Sequence, residues 1–396
     1  MVRDEGEAEV SEFGFTEAER SLQAQVRDFT NKEIRPKTKD LCTSQSLPYE
    51  IGLRLGEMGY LGMVVPEEYG GQGLDSFALG IVVEELAKGH LSVAERCIAP
   101  NAMYIMLSAA DPDKIKDYYP AVARGEHLIT TAITEPNCGT DPAAMAMTAV
   151  KDGDHYILNG EKVPITWAKQ DYVKTIMTLA KTDPTQRARG VSAFVVPADV
   201  TGLTISDVPM MGWRANTSAL LTFQDVHVPV QNLVGKEGQG FSTGMGLLTH
   251  NRILLGLMAL GNARAVLDET INYVKQRSAF GKPIAKYEAI SFKIAEDVSF
   301  LEMNRNFCYH ALRMKDTGLD IAKESSICKW TAAKLGVKIV RDCMTMHGWF
   351  GYCEESLIPY RLADALGFEF ADGTAEAQKM ILTNSILGRE YLPYTR

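Results

Sequence analysis

The chain changes character at residues 128–141, where the sequence reads LITTAITEPNCGTD. Before this stretch, from Thr16 to about Tyr119, apolar residues such as Leu22, Val26 and Phe29 recur at helical spacing. After it, short runs rich in Val, Ile and Thr take over, and these predict strands. The stretch therefore marks the passage from a helical segment to a β-domain.

The strand-like runs continue to about residue 235. They are Ile129–Ile133, Lys174–Ala180, Ser192–Val196 and Leu220–Phe223. Asp152-Gly153 and Asn159-Gly160 stand between alternating residues and are turn signals. We therefore expect a compact, antiparallel β-domain over residues 125–238.

The helical period returns after Gly238 and persists to the end of the chain. The helical segments are Leu254–Arg277, Ala289–Thr317, Ile321–Met346 and Thr374–Leu387. Helices of this length can form an antiparallel bundle, and such bundles frequently associate. The predicted fold is therefore α+β, with an N-terminal α-helical domain (1–124), a middle antiparallel β-domain (125–238) and a C-terminal four-helix bundle (239–396) in a homo-oligomer.

The composition argues against several classes of protein. The net charge is −9 with scattered Lys and Arg, so we expect no nucleic-acid partner. No window approaches the ~20 apolar residues of a membrane helix, and Met1–Gly14 lacks the apolar stretch of a secretion signal, so we expect a cytoplasmic protein. The seven cysteines include no CxxC pair, which predicts neither a disulfide framework nor a metal site.

Five motifs follow one another over the second and third predicted domains. They are Thr134–Asp141 (TEPNCGTD), Gly153–Lys162 with Ile165-Thr166, Arg277–Ile284 (RSAFGKPI), His347-Gly348 with Gly351-Tyr352, and Asp372–Gln378 (DGTAEAQ). In order and spacing they resemble the motifs of the acyl-CoA dehydrogenase family, including its TEPxxGSD loop, its RxxFGxPL turn and its EGTxxIQ segment.

The resemblance implies that the chain binds FAD. Thr134, Thr140 and Thr166 are then cofactor-binding residues, and Thr134 and Thr166 would bond the flavin ring through a short hydroxyl or a backbone N–H. Arg277 suits the pyrophosphate, because a guanidinium makes paired, charge-assisted bonds to phosphate oxygens.

The resemblance also implies that FAD sites are shared between subunits. Arg277 and Phe280 would serve the FAD of a neighbouring subunit in a dimer or tetramer. Thr374 and Glu376 would lie near the cofactor from the C-terminal bundle. Cofactor binding would then require assembly.

In the family reaction a carboxylate removes the α-proton of an acyl thioester while the β-hydrogen leaves as hydride. Asp372 aligns with the family's glutamate base, and the neighbouring Phe368 and Phe370 would raise its pKa. Aspartate is shorter by about 1.5 Å, and a shorter base also occurs in a related branch that oxidises nitroalkanes. The alternative is that Asp372 serves as the N-cap of the helix that follows.

Other departures from the family's motifs predict an unusual substrate. Pro164, Trp167, Trp349 and Ala371 replace residues of different size at family positions. Arg252 aligns with an arginine that contacts CoA, but a salt bridge within the bundle would explain it equally well.

Glu95 and Arg96 lie on a helix that lines the distal acyl pocket in the family and is usually apolar there. A buried charge is costly unless it is paired. The two residues therefore either face solvent, which we favour, or match a polar group of the substrate.

Three functions follow from these residues. The first is FAD-dependent dehydrogenation of an acyl thioester, carried by CoA or a carrier protein, with an electron-transfer flavoprotein as acceptor. The second is a flavin oxidase or monooxygenase, similar to nitroalkane oxidase, on the same fold. The third is a catalytically silent binding protein.

Overall fold

The computed structural model describes residues 14–392. The interpretation of Met1–Gly14 as a segment without a signal peptide therefore rests almost entirely on residues outside the described range. Within residues 14–392 no helix is both long enough and apolar enough to cross a membrane. No group of three or more His, Cys, Asp or Glu side chains in this range could hold a metal ion.

The N-terminal domain is helical. Its helices are α1 (Glu17–Phe29), α2 (Thr38–Thr43), α3 (Tyr49–Glu57), α4 (Ser76–Gly89), α5 (Leu91–Ala110) and α6 (Ile115–Ala123). Thr16 begins α1 with a reciprocal capping box to Glu19. Helices α4 and α5 are buried on nearly all sides and form the centre of this domain.

The middle domain is one eight-stranded sheet. Its strands are β1 (Leu128–Ala132), β2 (Thr148–Asp152), β3 (His155–Thr166), β4 (Val173–Lys181), β5 (Val191–Pro197), β6 (Leu203–Asp207), β7 (Ser218–Pro229) and β8 (Leu233–Val234). The order is β6-β7-β3-β2-β4-β5-β8, with β1 beside β4.

Most of the pairings are antiparallel, as predicted, but β1 and β2 both run parallel to β4. A long connection through β2 and β3 separates β1 from β4, and such a connection permits the parallel pairing that a tight hairpin excludes.

The two predicted turns have different outcomes. Asp152 pairs with His155 across a hairpin in which Gly153 has φ +59°, so the first turn is confirmed. Asn159-Gly160 is wrong as a turn, because β3 continues through it and its ladder with β7 shifts register there. An interior strand glycine commonly marks a bulge of this kind. Here the Asp225 N–H donates to Asn159 Oδ1 at 2.8 Å.

The C-terminal domain contains the four predicted helices and two further ones. The elements are α7 (Gly240–Gln276), β9 (Ser278–Ala279), β10 (Lys282–Pro283), α8 (Glu288–Asp316), α9 (Ala322–His347), α10 (Trp349–Tyr352), α11 (Ile358–Gly367) and α12 (Ala375–Leu387). Strands β9 and β10 form a separate two-stranded hairpin.

Helix α11, which the sequence did not predict, joins the bundle to the β-domain. The backbone N–H of Trp213 donates to Asp364 Oδ1 at 2.7 Å, and the Trp213 indole N–H donates to the Asp364 carbonyl at 2.7 Å. Phe368 packs edge-on against the Trp213 ring at 5.0 Å between centroids. These contacts hold the loop before β7 against the helices.

Helix α7 lies against α4 and α5, and one glycine permits the close approach. A Cβ on Gly261 would lie 2.5 Å from the carbonyl oxygen of Glu84. The helices of the first and third domains therefore pack backbone to backbone. This packing brings α5 and α7 together on one side of the sheet.

Candidate active site

A cavity of about 800 Å³ lies where the three domains meet. The β-domain contributes the ends of β1 and β3 and the start of β7, and α5, α7, α11 and α12 supply the other walls. The predicted site residues that line it are Glu95, Thr134, Thr140, Thr166, Arg252, Ala371, Asp372 and Thr374. Residues more than 270 positions apart in the sequence therefore share one chamber.

Four predicted site residues do not line the cavity. Arg96 is buried behind it, whereas Arg277, Phe280 and Glu376 are exposed. Phe280 is 98% exposed at the tip of the β9–β10 hairpin, with φ +51°. None of these three exposed side chains lines the chamber of its own chain.

Thr134, Thr140 and Thr166 form one part of the cavity wall, here called the threonine wall. It is held in place by a buried ion pair. Lys162 Nζ donates to Glu135 Oε1 at 2.8 Å and to the Ile133 carbonyl at 2.9 Å. The Glu135 carboxylate also accepts from the backbone N–H groups of Ala146, at 2.6 Å, and Met147, at 3.1 Å. Glu135 and Lys162 both lie within the motifs quoted from the sequence, but the sequence predicted no role for either.

Two further bonds fasten β1 to the end of β3. The backbone N–H of Val163 donates to the Thr134 carbonyl at 2.9 Å, and Thr130 Oγ1 donates to the Thr166 carbonyl at 2.6 Å. The backbone carbonyls of Thr134 and Thr166 are therefore already bonded. Their hydroxyls make no hydrogen bond within residues 14–392.

Asn216 adds an unsatisfied amide to the same chamber. Both its Nδ2 and its Oδ1 are buried without a hydrogen-bond partner among the described residues. A buried amide without partners is costly, so a donor and an acceptor here call for a ligand that supplies both.

Asp372 lies in the loop between α11 and α12, in the left-handed region with φ +52°. Its carbonyl accepts from Arg252 Nε at 3.2 Å and from Gln378 Nε2 at 3.0 Å. The next carbonyl, of Gly373, accepts from Lys329 Nζ and from Gln378 Nε2. Three side chains from α7, α9 and α12 thus fix the backbone of this loop.

The side chain of Asp372 does not cap a helix. The N-cap of α12 is Thr374, whose Oγ1 accepts from the Ala377 N–H at 3.3 Å. The interpretation of Asp372 as an N-cap is therefore wrong, because the helix starts two residues later than that role requires. Asp372 Oδ2 is buried with no hydrogen-bond partner in the described chain.

Burial raises the pKa of the Asp372 carboxyl, and the positive charges of Arg252 and Lys329 oppose this rise. Of the two aromatic residues expected to surround it, Phe370 lines the cavity, whereas Phe368 packs on Trp213 instead. Burial also lowers the pKa of Lys329 to about 8, against the opposing effect of Asp372. The sequence did not predict Lys329 or Gln378 as site residues. Lys329 lies on an ordinary amphipathic helix, and Gln378 was recognised only as part of the Asp372–Gln378 motif.

Glu95 and Arg96 do not face solvent, so the favoured sequence interpretation is wrong. Helix α5 is enclosed around Glu95, where Leu91–Ala94 and Arg96–Ile98 are all buried. Arg96 Nη2 donates to the carbonyls of Gly125, at 3.4 Å, and His127, at 3.2 Å. A helix that neighbouring elements enclose on nearly all sides offers no face to solvent, even where it carries charged residues.

Glu95 instead points into the cavity. The indole N–H of Trp167 donates to Glu95 Oε2. Burial raises the pKa of the Glu95 carboxyl to about 7; Trp167 opposes this rise and the charge of Asp372 adds to it. Two carboxyls, Glu95 and Asp372, therefore line the chamber.

Arg252 forms no salt bridge with a carboxylate of the bundle in the described residues. Its bond is to the Asp372 carbonyl, at the edge of the cavity. Of the four departures from the family's motifs, Pro164, Trp167 and Ala371 line the cavity. Trp349 does not, and it is 79% exposed.

Comparison with known proteins identifies the family of this chain. Three family profiles match in succession: the N-terminal domain of acyl-CoA dehydrogenase over residues 16–126, the middle domain over 130–226 and the C-terminal domain over 238–387. An acyl-CoA dehydrogenase of Bacillus subtilis (strain 168) is 34% identical over 381 residues, covering 94% of this chain and 99% of that protein. The chain belongs to the acyl-CoA dehydrogenase family.

Solved structures of acyl-CoA dehydrogenases share the whole architecture. Butyryl-CoA dehydrogenase from Megasphaera elsdenii superposes with a TM-score of 0.90 at 30% identity, covering 95% of this chain and 99% of that one. A glutaryl-CoA dehydrogenase from Mycobacterium smegmatis in complex with FADH2 has a TM-score of 0.89 at 25% identity, covering 96% of this chain and 97% of that one. These relatives indicate that the protein is a flavin oxidoreductase.

Proposed function

We propose that this protein removes the α-proton and the β-hydride of an acyl thioester, with Asp372 as the base and FAD as the hydride acceptor. The observation that carries the proposal is the buried, unpartnered Oδ2 of Asp372 in the cavity. The thioester is carried by CoA or by a carrier protein, and its acyl group is not the standard one.

The chamber fits a flavin. Such a cofactor needs hydroxyl and backbone donors along its polar edge, and the threonine wall of Thr134, Thr140 and Thr166 offers them. The unsatisfied amide of Asn216 matches a ring system with alternating donors and acceptors. Thr374 supplies a further hydroxyl from the start of α12.

The exposed residues support a shared site. Arg277, Phe280 and Glu376 carry the charge and the aromatic surface assigned to cofactor binding, but none lies in the chamber of its own subunit. We propose that Arg277 and Phe280 serve the FAD of a neighbouring subunit in a dimer or tetramer. The test is whether Arg277→Ala loses FAD on purification while Arg389→Ala, a change at another exposed arginine, retains it.

The residues of the chain divide the work as follows. Bound FAD supplies the hydride acceptor. Asp372 takes the α-proton on Oδ2, for which it must be ionised. Arg252 and Lys329 favour that ionised form, and by holding the carbonyls of Asp372 and Gly373 they position the carboxyl as well. The surrounding apolar walls exclude water and so strengthen these interactions.

The decisive experiment is an anaerobic titration of the purified flavoprotein with a broad panel of acyl-CoA esters. We expect substrate to bleach the flavin absorbance of the wild type. Asp372→Asn should bind FAD and ester without bleaching. An unchanged spectrum across the panel would contradict the proposal. If neither protein bleached and Asp372→Asn kept the ligand binding of the wild type, the protein would instead be a silent binding protein.

A flavin oxidase or monooxygenase is the second candidate, and the shorter carboxylate of Asp372 is the observation that favours it. Such an enzyme consumes oxygen with its substrate and needs no added acceptor. The dehydrogenase passes electrons to an electron-transfer flavoprotein. Substrate-dependent oxygen uptake compared with reduction of added electron-transfer flavoprotein separates the two.

A further inference from the structure

Glu95 is a half-buried carboxyl on the cavity wall for which the reaction proposed above has no use. Its Oε2 accepts from the Trp167 indole, but its Oε1 has no hydrogen-bond partner within residues 14–392. The side chain lies on the cavity wall beside Ala99 and Ala102, which are too small to cover it. The open acceptor capacity of Glu95 is therefore directed into the space that the ligand occupies.

The protein itself does not neutralise this carboxyl. No Lys, Arg or His in the described range lies within ion-pair distance of Glu95. Arg96, its neighbour in sequence, turns away to backbone carbonyls. Burying a carboxyl without a partner is costly, so an apolar acyl chain that filled this space would bury the open oxygen of Glu95 at a cost.

The backbone conformation of Trp167 places its indole so that it orients the Glu95 carboxyl. Trp167 has φ +69°, a backbone conformation that a bulky residue rarely adopts. This conformation directs the ring, which is 1% exposed, toward α5. The indole has a donor and no acceptor, so it can bond only to an oxygen such as Glu95 Oε2.

The charges around the chamber restrict what Glu95 can bind. The charged residues that line it are Glu95, Asp372 and Arg252, and Arg252 already bonds to the loop of Asp372. A carboxylate on the acyl group would be repelled by the negative charges of Glu95 and Asp372. A hydroxyl suits either form of a carboxyl, because it donates to the ionised form and can also accept from the protonated one.

We propose that Glu95 selects substrates that carry a hydroxyl on the acyl chain. The inference rests on the proposed function, because it assigns the substrate class of the same chamber. A carboxyl with a pKa raised to about 7 suits this task, since either of its forms can pair with a hydroxyl near neutral pH.

The test uses the FAD-loaded protein and pairs of straight-chain acyl-CoA esters, each unsubstituted ester matched with its ω-hydroxylated counterpart of equal length. The rate of anaerobic flavin reduction at limiting ester gives the preference for the hydroxyl. For the best pair, we expect the wild type to prefer the hydroxylated ester by about 10- to 100-fold, the scale set by a hydrogen bond to a buried carboxyl. Glutaryl-CoA should be slower than both.

Substitutions separate recognition from folding. Glu95→Leu should reverse the preference, and Glu95→Gln should reduce it by about tenfold, since an amide still bonds to a hydroxyl but more weakly. Trp167→Phe keeps a ring and removes the donor that orients Glu95, so it should also narrow the preference. Glu50→Gln, on the exposed start of α3, is the matched control and should behave as the wild type.

The outcomes distinguish the two proposals. If no ester of either kind reduces the wild-type flavin, the proposed function fails and the inference falls with it. If both members of every pair react equally, or if Glu95→Leu keeps the wild-type preference, the inference is wrong while the proposed function stands.

Discussion

Glu84 and Glu95 are carboxyls on the consecutive helices α4 and α5, and their surroundings differ: Glu84 is fully buried, whereas Glu95 is half-buried on the cavity wall. Both oxygens of Glu84 are occupied: Arg305 Nε donates to Oε1 at 2.7 Å, and the Tyr309 hydroxyl donates to Oε2 at 2.6 Å. Burial would favour the protonated form, but Arg305 and Lys88 hold the pKa of Glu84 below its ordinary value. Burial raises the pKa of Glu95, whose one donor is an indole.

The difference teaches how to separate structural from functional carboxyls in one molecule. The Glu84 cluster ties α4 to α8 and leaves the carboxylate no free acceptor, so it contributes to folding. Glu95 and Asp372 each retain an oxygen without a partner in the described residues, and both face a cavity. Carboxyls with perturbed pKa values in a cavity are candidates for chemistry and recognition.

The largest expected effect is on turnover at Asp372. Asp372→Asn removes the proton acceptor, so we expect the rate of flavin reduction by substrate to fall by about 10²- to 10⁴-fold, the usual contribution of a positioned base. Stability should not decrease, because the asparagine removes an unpaired buried acid. Stopped-flow reduction and thermal unfolding measure the two effects. A variant with wild-type turnover would remove Asp372 from the mechanism.

The reciprocal change at Glu84 should act on stability. Glu84→Gln leaves the Arg305 guanidinium facing a neutral amide in a buried place, and breaking such a pair costs about 3–5 kcal/mol. Denaturant unfolding measures this loss. Glu57→Gln, which breaks an exposed pair with Arg54, is the control and should change stability little. If Glu84→Gln were as stable as the wild type, the contrast between the two carboxyls would collapse.

A smaller effect is expected at Lys329, which positions the loop of Asp372. In Lys329→Met the carbonyl of Gly373 keeps its bond from Gln378, while the charge that favours ionised Asp372 is lost. The pKa of Asp372 should rise, so the acidic limb of the pH–rate profile should move to higher pH. We expect the loss of kcat to be largest on the acidic limb, where the smaller ionised fraction of Asp372 limits the rate.

The matched control for Lys329 is Lys323→Met on the exposed start of α9. A purely structural role for Lys329 would lower stability without moving the pH–rate profile, and that result would exclude the positioning role.

The smallest expected effect concerns pH and stability at Glu95. Its pKa is raised from 4.5 to about 7 in the folded protein, so folding favours the protonated form. The stability that this provides is fully present below pH 4.5 and is lost as the pH rises through about 7. Asp372 strengthens the shift, while Arg96 and Trp167 oppose it.

Glu95→Gln has no such titration. The Tm of this variant minus that of the wild type should therefore increase by about 1–3 °C between pH 4.5 and about 7 and then level off. A Tm difference that stayed constant over this range would show that the Glu95 carboxyl is ionised throughout.

The sequence predicted the order of helix, sheet and helix, because periodicity and turn residues are local signals. It also predicted which threonines would share a wall, through the family resemblance. It failed at Asn159-Gly160, since a bulge and a turn use the same dipeptide and only the partner strand β7 distinguishes them. It failed at Glu95 because the enclosure of α5 depends on packing against α4 and α7.

Two side-chain contacts at the site that the sequence missed are long-range. Lys329 reaches the Gly373 carbonyl from another helix, and Trp167 reaches Glu95 from the β-domain. No spacing in the sequence encodes such a bond, because each depends on how two separately folded elements dock.

The buried Glu135–Lys162 pair has a thermodynamic consequence for cofactor binding. It fastens the loop of Thr134 and Thr140 to Lys162 on β3 and to the backbone just before β2, using only atoms of the protein. The loop therefore has little freedom left to lose when a ligand arrives, and binding energy is not spent on ordering it. The protein made without flavin should hold this loop in its working shape and take up FAD without a slow refolding step.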